Sequence, residues 1–168
     1  MSEPALPDAE QLLIKLAGQM RPHVTAQTGL VGIVTGGAWL AERLHRELKL
    51  KVAHGALDVS FYRDDFQRKG LKRKVAPSAI PFEIEGCDLI LIDDVLYTGR
   101  TIRAAMNELF DYGRPARIRL AALVDRGGRE LPIAAQFVGA SLDVAAQYSI
   151  DLEKAQDGKL HLVLQAKN

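Results

Sequence analysis

The chain of 168 residues has a single cysteine, Cys87. That excludes an intrachain disulfide and any metal site built from several thiolates. An excess of charge of one sign is also missing, since 22 Lys+Arg against 21 Asp+Glu leave a formal +1. A chain so balanced has no global field to draw nucleic acid or a membrane surface, so such a partner would need a local patch. No apolar run approaches the roughly 20 residues of a membrane span. Residues 1–10 lack the basic start and apolar run of a signal peptide. The expectation is a cytoplasmic protein with no membrane partner. His23, His45, His54 and His161 show no metal-ligand spacing. Internal repeats and low-complexity linkers are absent too, and the length suits one domain over 1–168.

What is present alternates between helical and strand-like periods. Residues 8–20 predict an amphipathic helix capped by Asp8, with Leu12, Leu13, Leu16, Ala17 and Met20 as its apolar stripe. Leu30 to Thr35 reads as a buried strand broken by Gly36-Gly37, and Leu40, Ala41, Leu44 and Leu48 mark a second helix. Ala56 to Phe61 is a predicted strand, followed over 62–80 by a long polar loop. Asp88 to Asp93 suits the centre of a parallel sheet. A helix over 100–111 carries Ile102, Ala105, Met106, Leu109 and Phe110 and stops at Gly113, and Ile118 to Val124 is the next strand. From Phe137 onward short strands are expected, with Asp157-Gly158 as a hairpin turn. The pattern is that of an α/β domain with a parallel sheet.

Ligands of open α/β sheets bind beyond the carboxyl ends of the strands. The run Asp93-Asp94-Val95-Leu96-Tyr97-Thr98-Gly99-Arg100-Thr101 puts two carboxylates, a short loop and a helix start at that edge. The first amides of a helix lack internal partners and can hold a phosphate. Thr98 and Thr101 add hydroxyls, and Gly99 allows close approach. Two acids beside a phosphate make sense if they accept hydrogen bonds from sugar hydroxyls or help hold Mg²⁺. The plainer alternative is an Asp pair that caps the next helix. Neither a Walker loop nor a dinucleotide fingerprint is present.

Residues 89–101, four apolar residues, two acids and then Thr-Gly-Arg-Thr, resemble the thirteen-residue phosphoribosyl pyrophosphate motif of the type I phosphoribosyltransferases. The wider context resembles the PyrR family: Gly113-Arg114-Pro115, Leu123-Val124-Asp125-Arg126-Gly127, Arg129-Glu130-Leu131-Pro132-Ile133, Trp39 to Leu44, and Phe61-Tyr62-Arg63-Asp64-Asp65. The likeness runs from about residue 10 to about residue 140. It implies the type I phosphoribosyltransferase fold, a central mostly parallel sheet flanked by helices, with a small hood from the terminal segments. It further implies a uracil phosphoribosyltransferase, a pentosyltransferase making UMP and pyrophosphate from uracil and phosphoribosyl pyrophosphate. Mg²⁺ is the implied cofactor, met by Asp93 and Asp94 indirectly, through the donor or water. A homodimer or homotetramer is implied as well.

On this resemblance Asp93, Asp94 and Arg63 are the catalytic group, and Val95, Leu96, Tyr97, Thr98, Gly99, Arg100 and Thr101 bind the ribose phosphate. Thr35, Gly36 and Gly37 meet pyrophosphate, and Val124, Asp125, Arg126 and Gly127 lie beside the base, with Arg126 in reach of a phosphate. Relatives commonly carry Arg where this chain has Gly36, so weaker use of the donor is expected, and Gly36→Arg should raise kcat/KM. The basic run 68–74 suits either a loop closing over substrate or a grip on RNA phosphates. The rival reading is a uridine-nucleotide-sensing regulator that binds pyrimidine operon mRNA, controls transcription by attenuation and catalyses little. Its first helix would offer only Lys15 and Arg21 to RNA. The segment Ala140-Ser141-Leu142-Asp143 departs from the family's usual Pro-Thr-Ser.

Overall fold

The computed structural model describes residues 5–60 and 78–168. Asp8 caps helix α1 (Ala9–Met20), its side chain accepting from the amides of Glu10 at 2.8 Å and Gln11 at 3.3 Å. Those amides have no partner within the helix, and satisfying them contributes about 1 kcal/mol. All five residues of the predicted apolar stripe are buried. Strand β1 (Gly29–Ile33) leads through Val34 and Thr35 into α2 (Gly36–Leu48). The paired glycines therefore open the helix. The strand expected over 56–61 is shorter, β2 (Gly55–Leu57). Ala56 also exchanges hydrogen bonds of 2.8 Å with Ala79 across an isolated antiparallel bridge.

Strand β3 (Asp88–Leu96) runs three residues beyond its predicted end. It is followed by α3 (Arg100–Asp111), β4 (Arg117–Asp125) and β5 (Phe137–Ser141). Among the described residues, five strands form one parallel sheet in the order β2-β1-β3-β4-β5. The first of the short strands expected after Phe137 thus belongs to the central sheet. The last two, β6 (Tyr148–Lys154) and β7 (Leu160–Ala166), form a separate antiparallel hairpin. Its turn passes through Asp157 and Gly158, where φ is +86°.

The sheet is covered on both faces, so its strands carry apolar side chains in both directions. Ile90 and Ile92 join Leu30, Ala121 and Leu123 beneath α1 and α2, while Leu89 and Leu91 join Val31, Leu120 and Ala122 beneath α3. The hairpin packs on the first of these cores through Ile150, Leu152 and Leu160. Glu10 at the start of α1 ties that junction by accepting from Leu160 N–H at 3.0 Å and from Arg43 at 2.6 and 3.2 Å. Phe110, placed by periodicity on the apolar face of α3, is 56% exposed. Ile102, Ala105 and Leu109 fill that face without it.

Candidate active site

The strand order reverses direction between β1 and β3. From β1 the chain goes to β2 on one side, then crosses back to β3 on the other. Such a switch point opens a crevice at the carboxyl ends of the two strands. Thr35-Gly36-Gly37 leaves β1 at this place, and Asp93 to Thr101 leaves β3 beside it.

The start of α2 is wedged tightly between these strands. A Cβ on Gly32 would lie 2.2 Å from Gly37 O, and one on Gly37 would lie 2.4 Å from Ile92 O. Side chains at either position would push the helix out of the crevice. Thr35 caps α2 without a side-chain hydrogen bond, and its carbonyl accepts from the amides of Ala38 at 3.2 Å and Trp39 at 3.3 Å. The Val34–Thr35 peptide is cis.

The two acids stand on β3 itself. Asp93 is 2% exposed and its Oδ1 accepts from Asp94 N–H at 2.9 Å, while Asp94 Oδ1 accepts from Val95 N–H at 2.8 Å. The simpler alternative, an acid pair capping α3, does not hold, because α3 is capped by Gly99 at φ +93° without a side-chain bond. Val95 and Leu96, expected in the loop, continue the strand and pair with Val124 and Asp125 of β4. Only Tyr97, Thr98 and Gly99 remain between β3 and α3. Thr98 is buried, and its hydroxyl accepts from Arg100 N–H at 3.2 Å.

Asp94 also faces Gly36. A Cβ on Gly36 would lie 2.3 Å from Asp94 Oδ2. The expected gain from Gly36→Arg therefore carries a cost that the sequence did not show, because any side chain at 36 must turn the Asp94 carboxylate aside. Two variants separate the effects. Gly36→Ala, which adds the Cβ alone, should lower kcat/KM for phosphoribosyl pyrophosphate. Gly36→Arg should exceed Gly36→Ala by about 10- to 100-fold, the contribution of a charge-assisted hydrogen bond. Equal steady-state values for the two would show that no guanidinium is wanted there.

The segment after β4 departs most from expectation. Val124 is fully buried and pairs with Val95 on one side and Ala140 on the other, so its side chain does not line the crevice. Arg126, expected within reach of a phosphate, is 6% exposed and turned inward. It donates to Tyr148 O at 2.9 Å, Val144 O at 3.2 Å and Ala145 O at 3.3 Å. Its guanidinium lies 4.0 Å from the centre of the Tyr97 ring. It fastens the β6–β7 hairpin to the end of β4. Gly127 and Gly128 follow at φ +72° and +78°, and a Cβ on Gly128 would lie 2.4 Å from Tyr97 Cε1.

Asp125 accepts from Gly127 N–H at 2.9 Å and pairs with Arg129 at 2.5 Å. Burial alone would raise its carboxyl, but the hydrogen bond from Arg129, helped by that from Gly127, outweighs burial and holds it below its ordinary value. A carboxyl lowered by folding stabilises the native state above its unfolded pKa and loses that contribution as pH falls through the folded one. Asp125→Asn should therefore flatten the fall of Tm with acidification below about pH 4. A wild-type slope in the variant would contradict this.

Sequence reading missed the residues that hold the Tyr97–Gly99 loop. Thr98 O accepts from the amides of Glu130 at 2.9 Å and Leu131 at 3.2 Å. Arg129 donates to Tyr97 O at 2.8 Å, and Arg100 pairs with Glu130 at 3.0 Å. A Cβ on Gly99 would lie 3.0 Å from Ile133 Cγ1. The run Arg129 to Ile133 was visible as part of the family likeness, but nothing local marked its partners. Arg63 and the basic run 68–74 lie outside the described residues. A cavity of about 600 Å³ between α1, α2 and the hairpin, bordered by Trp39, Arg43, Lys154 and Lys159, shares no residue with the crevice segments.

The phosphoribosyl transferase domain family matches residues 5–151. The Bifunctional protein PyrR of Pseudomonas aeruginosa (strain LESB58) is 52% identical over 153 residues, covering 88% of this chain and 89% of that protein. The chain belongs to the PyrR family. The PyrR of Pseudomonas fluorescens is 48% identical over 162 residues, covering 94% of this chain and 96% of its own length. The fold is shared more widely than the family. A hypoxanthine-guanine phosphoribosyltransferase from Bacillus anthracis superposes with a TM-score of 0.66 at 22% identity, covering 85% of this chain and 86% of that one. A purine phosphoribosyltransferase from Pyrococcus horikoshii gives 0.64 at 20% identity, covering 85% and 89%. At such identities the likeness is one of fold. Among the described residues, no helix is long and apolar enough to cross a membrane.

Proposed function

We propose that this PyrR-family chain transfers ribose 5-phosphate from phosphoribosyl pyrophosphate to uracil, giving UMP and pyrophosphate, and that residues 1–168 act as one catalytic domain. One observation carries the reading: the acid pair of β3, the start of α3 and the glycine-opened α2 converge at the β1/β3 switch point. In this reading Asp93 and Asp94 serve the ribose hydroxyls, with Asp93 also fixing the Asp94 backbone. Tyr97 to Thr101 receive the 5-phosphate at the start of α3. Thr35 to Gly37 face the pyrophosphate, where amides at a helix start favour negative charge. Asp125 and Gly127 flank the base.

The uracil ring nitrogen attacks the anomeric carbon and loses its proton, while the bond from that carbon to pyrophosphate breaks and the electron pair leaves with pyrophosphate. Positive charge builds on the ribose ring in between. The protein's contribution is to orient donor and base and to set fixed dipoles where charge develops.

Among the described residues, no cluster of three His, Cys, Asp or Glu side chains could cage a metal. Two adjacent carboxylates fit Mg²⁺ held largely by the donor's own oxygens and water. When bound, Mg²⁺ neutralises the departing pyrophosphate.

The decisive assay mixes purified protein, Mg²⁺ and phosphoribosyl pyrophosphate with each nucleobase in turn. Nucleotide from uracil alone is the expected result. Product from no base, alongside salt-sensitive binding of a pyrimidine-operon leader RNA, would favour the regulator reading instead. Sedimentation of the same sample tests the proposed dimer or tetramer.

A further inference from the structure

We infer that Arg129 is a positioning residue that joins the two halves of the site, setting the donor loop and the base loop with one guanidinium. The inference rests on the transferase reading above. It begins from the geometry of three hydrogen bonds. Arg129 Nε donates to Ile133 O at 2.8 Å, Nη1 to Tyr97 O at 2.8 Å, and Nη2 to Asp125 Oδ2 at 2.5 Å. Tyr97 opens the loop between β3 and α3, and Asp125 ends β4. Ile133 belongs to the crossing from β4 to β5, which carries no helix. The planar guanidinium presents its donors in a fixed fork, so the three acceptors cannot move independently while it is engaged.

The second link is the direction of the peptide groups. In a trans peptide, C=O and N–H point opposite ways. Arg129 holds Tyr97 O, and the amides of Glu130 and Leu131 hold Thr98 O. Two of the loop's three carbonyls are thus drawn toward residues 129–131, while that of Gly99 accepts from Arg103 N–H at 3.0 Å. The amides of Thr98 and Gly99, which share the peptide planes of the first two, are aimed away from residues 129–131. Losing the fork would let the Tyr97–Thr98 peptide rotate and would release Asp125 in the same event. Donor and base sites should therefore fail together, although Arg129 itself is placed against neither ligand.

Charge alone does not meet this requirement. A lysine could pair with Asp125, but its single ammonium cannot match the planar fork. Arg129→Lys and Arg129→Gln should each raise KM for phosphoribosyl pyrophosphate and for uracil by about 10-fold or more, in line with the loss of charge-assisted hydrogen bonds. Lysine should not restore either value.

Hydrogen exchange gives a readout that does not need turnover. Peptides covering 127–131, whose amides donate to Asp125 Oδ1 and Thr98 O, should exchange faster in both variants, while those from α1 keep wild-type rates. Unchanged exchange over 127–131 would overturn the inference. So would faster exchange with both KM values unaltered, because Arg129 would then brace the fold without positioning the site. Full rescue by lysine would reduce its role to simple charge and overturn the fork. A wild-type protein that makes no nucleotide would sink the transferase reading by itself. The exchange data would still decide whether the fork holds the loop.

Discussion

Asp94→Asn should lower kcat/KM for phosphoribosyl pyrophosphate by about 10- to 100-fold, the loss expected when hydrogen bonds to a charged acceptor become bonds to a neutral one. The fold should survive. Asp94 Oδ1 accepts from Val95 N–H at 2.8 Å, and an asparagine keeps an oxygen for that donor. Asp94 Oδ2 lies beside Gly36, at the start of α2, where a carboxylate is favoured by the helix dipole. Losing that charge costs about 0.3–1 kcal/mol. For a chain of this size that is a Tm decrease of only about 1–4 °C. Steady-state kinetics beside a thermal melt separate the two effects. Near-normal kinetics would remove Asp94 from the ribose site, and a collapse of Tm would make its role structural.

Arg126→Met should have the largest effect on stability. Methionine keeps much of the side chain's bulk but takes the Arg126 donor from the carbonyls of Val144 and Tyr148, whereas Ala145 O keeps its bond from Tyr148 N–H at 3.0 Å. Each unpaired buried acceptor costs about 1–3 kcal/mol. The Val144 and Tyr148 carbonyls do not add in full, since the bond to Tyr148 is only part-buried and the loop can relax toward water. Arg126 Nε is also buried without a hydrogen-bond partner, and its removal returns part of the loss. A net cost of about 2–4 kcal/mol follows, which corresponds to a Tm lower by roughly 4–16 °C. Limited proteolysis should then open the chain first between Leu142 and Tyr148, where Arg126 fastens the hairpin. A variant that melts like wild type would mean the hairpin is held by its apolar contacts alone.

These effects fall on residues of different legibility. Asp93, Asp94 and the Thr-Gly-Arg-Thr run could be picked out from the sequence, because a strand, two acids and a helix start follow one another within thirteen residues. Helix α1 was equally legible, since Asp8 and the stripe it precedes act over one to three turns. The strand expected over 56–61 overruns β2 because composition does not say where pairing stops: the ladder with β1 ends at Leu57, and Phe61 lies outside the described residues. Phe110 fitted the helical period, but the face of α3 that meets the sheet is filled without it.

By itself, the sequence determined the α/β class, the order of most elements and the location of the acid-rich motif. Each rests on interactions between near neighbours in the chain: caps, apolar spacing and glycine breaks. The tertiary structure decided the rest. It set the strand order that puts the switch point between β1 and β3, and it drew Phe137–Ser141 into the central sheet. It also turned Arg126 away from the crevice and set Arg129 between the end of β4 and the loop that follows β3. The bond from Arg129 to Tyr97 spans 32 residues, and that from Arg126 to Tyr148 spans 22. An arginine carries the same charge whether it meets a ligand or a main-chain carbonyl. Only the path of the folded backbone determines which acceptors come within its reach.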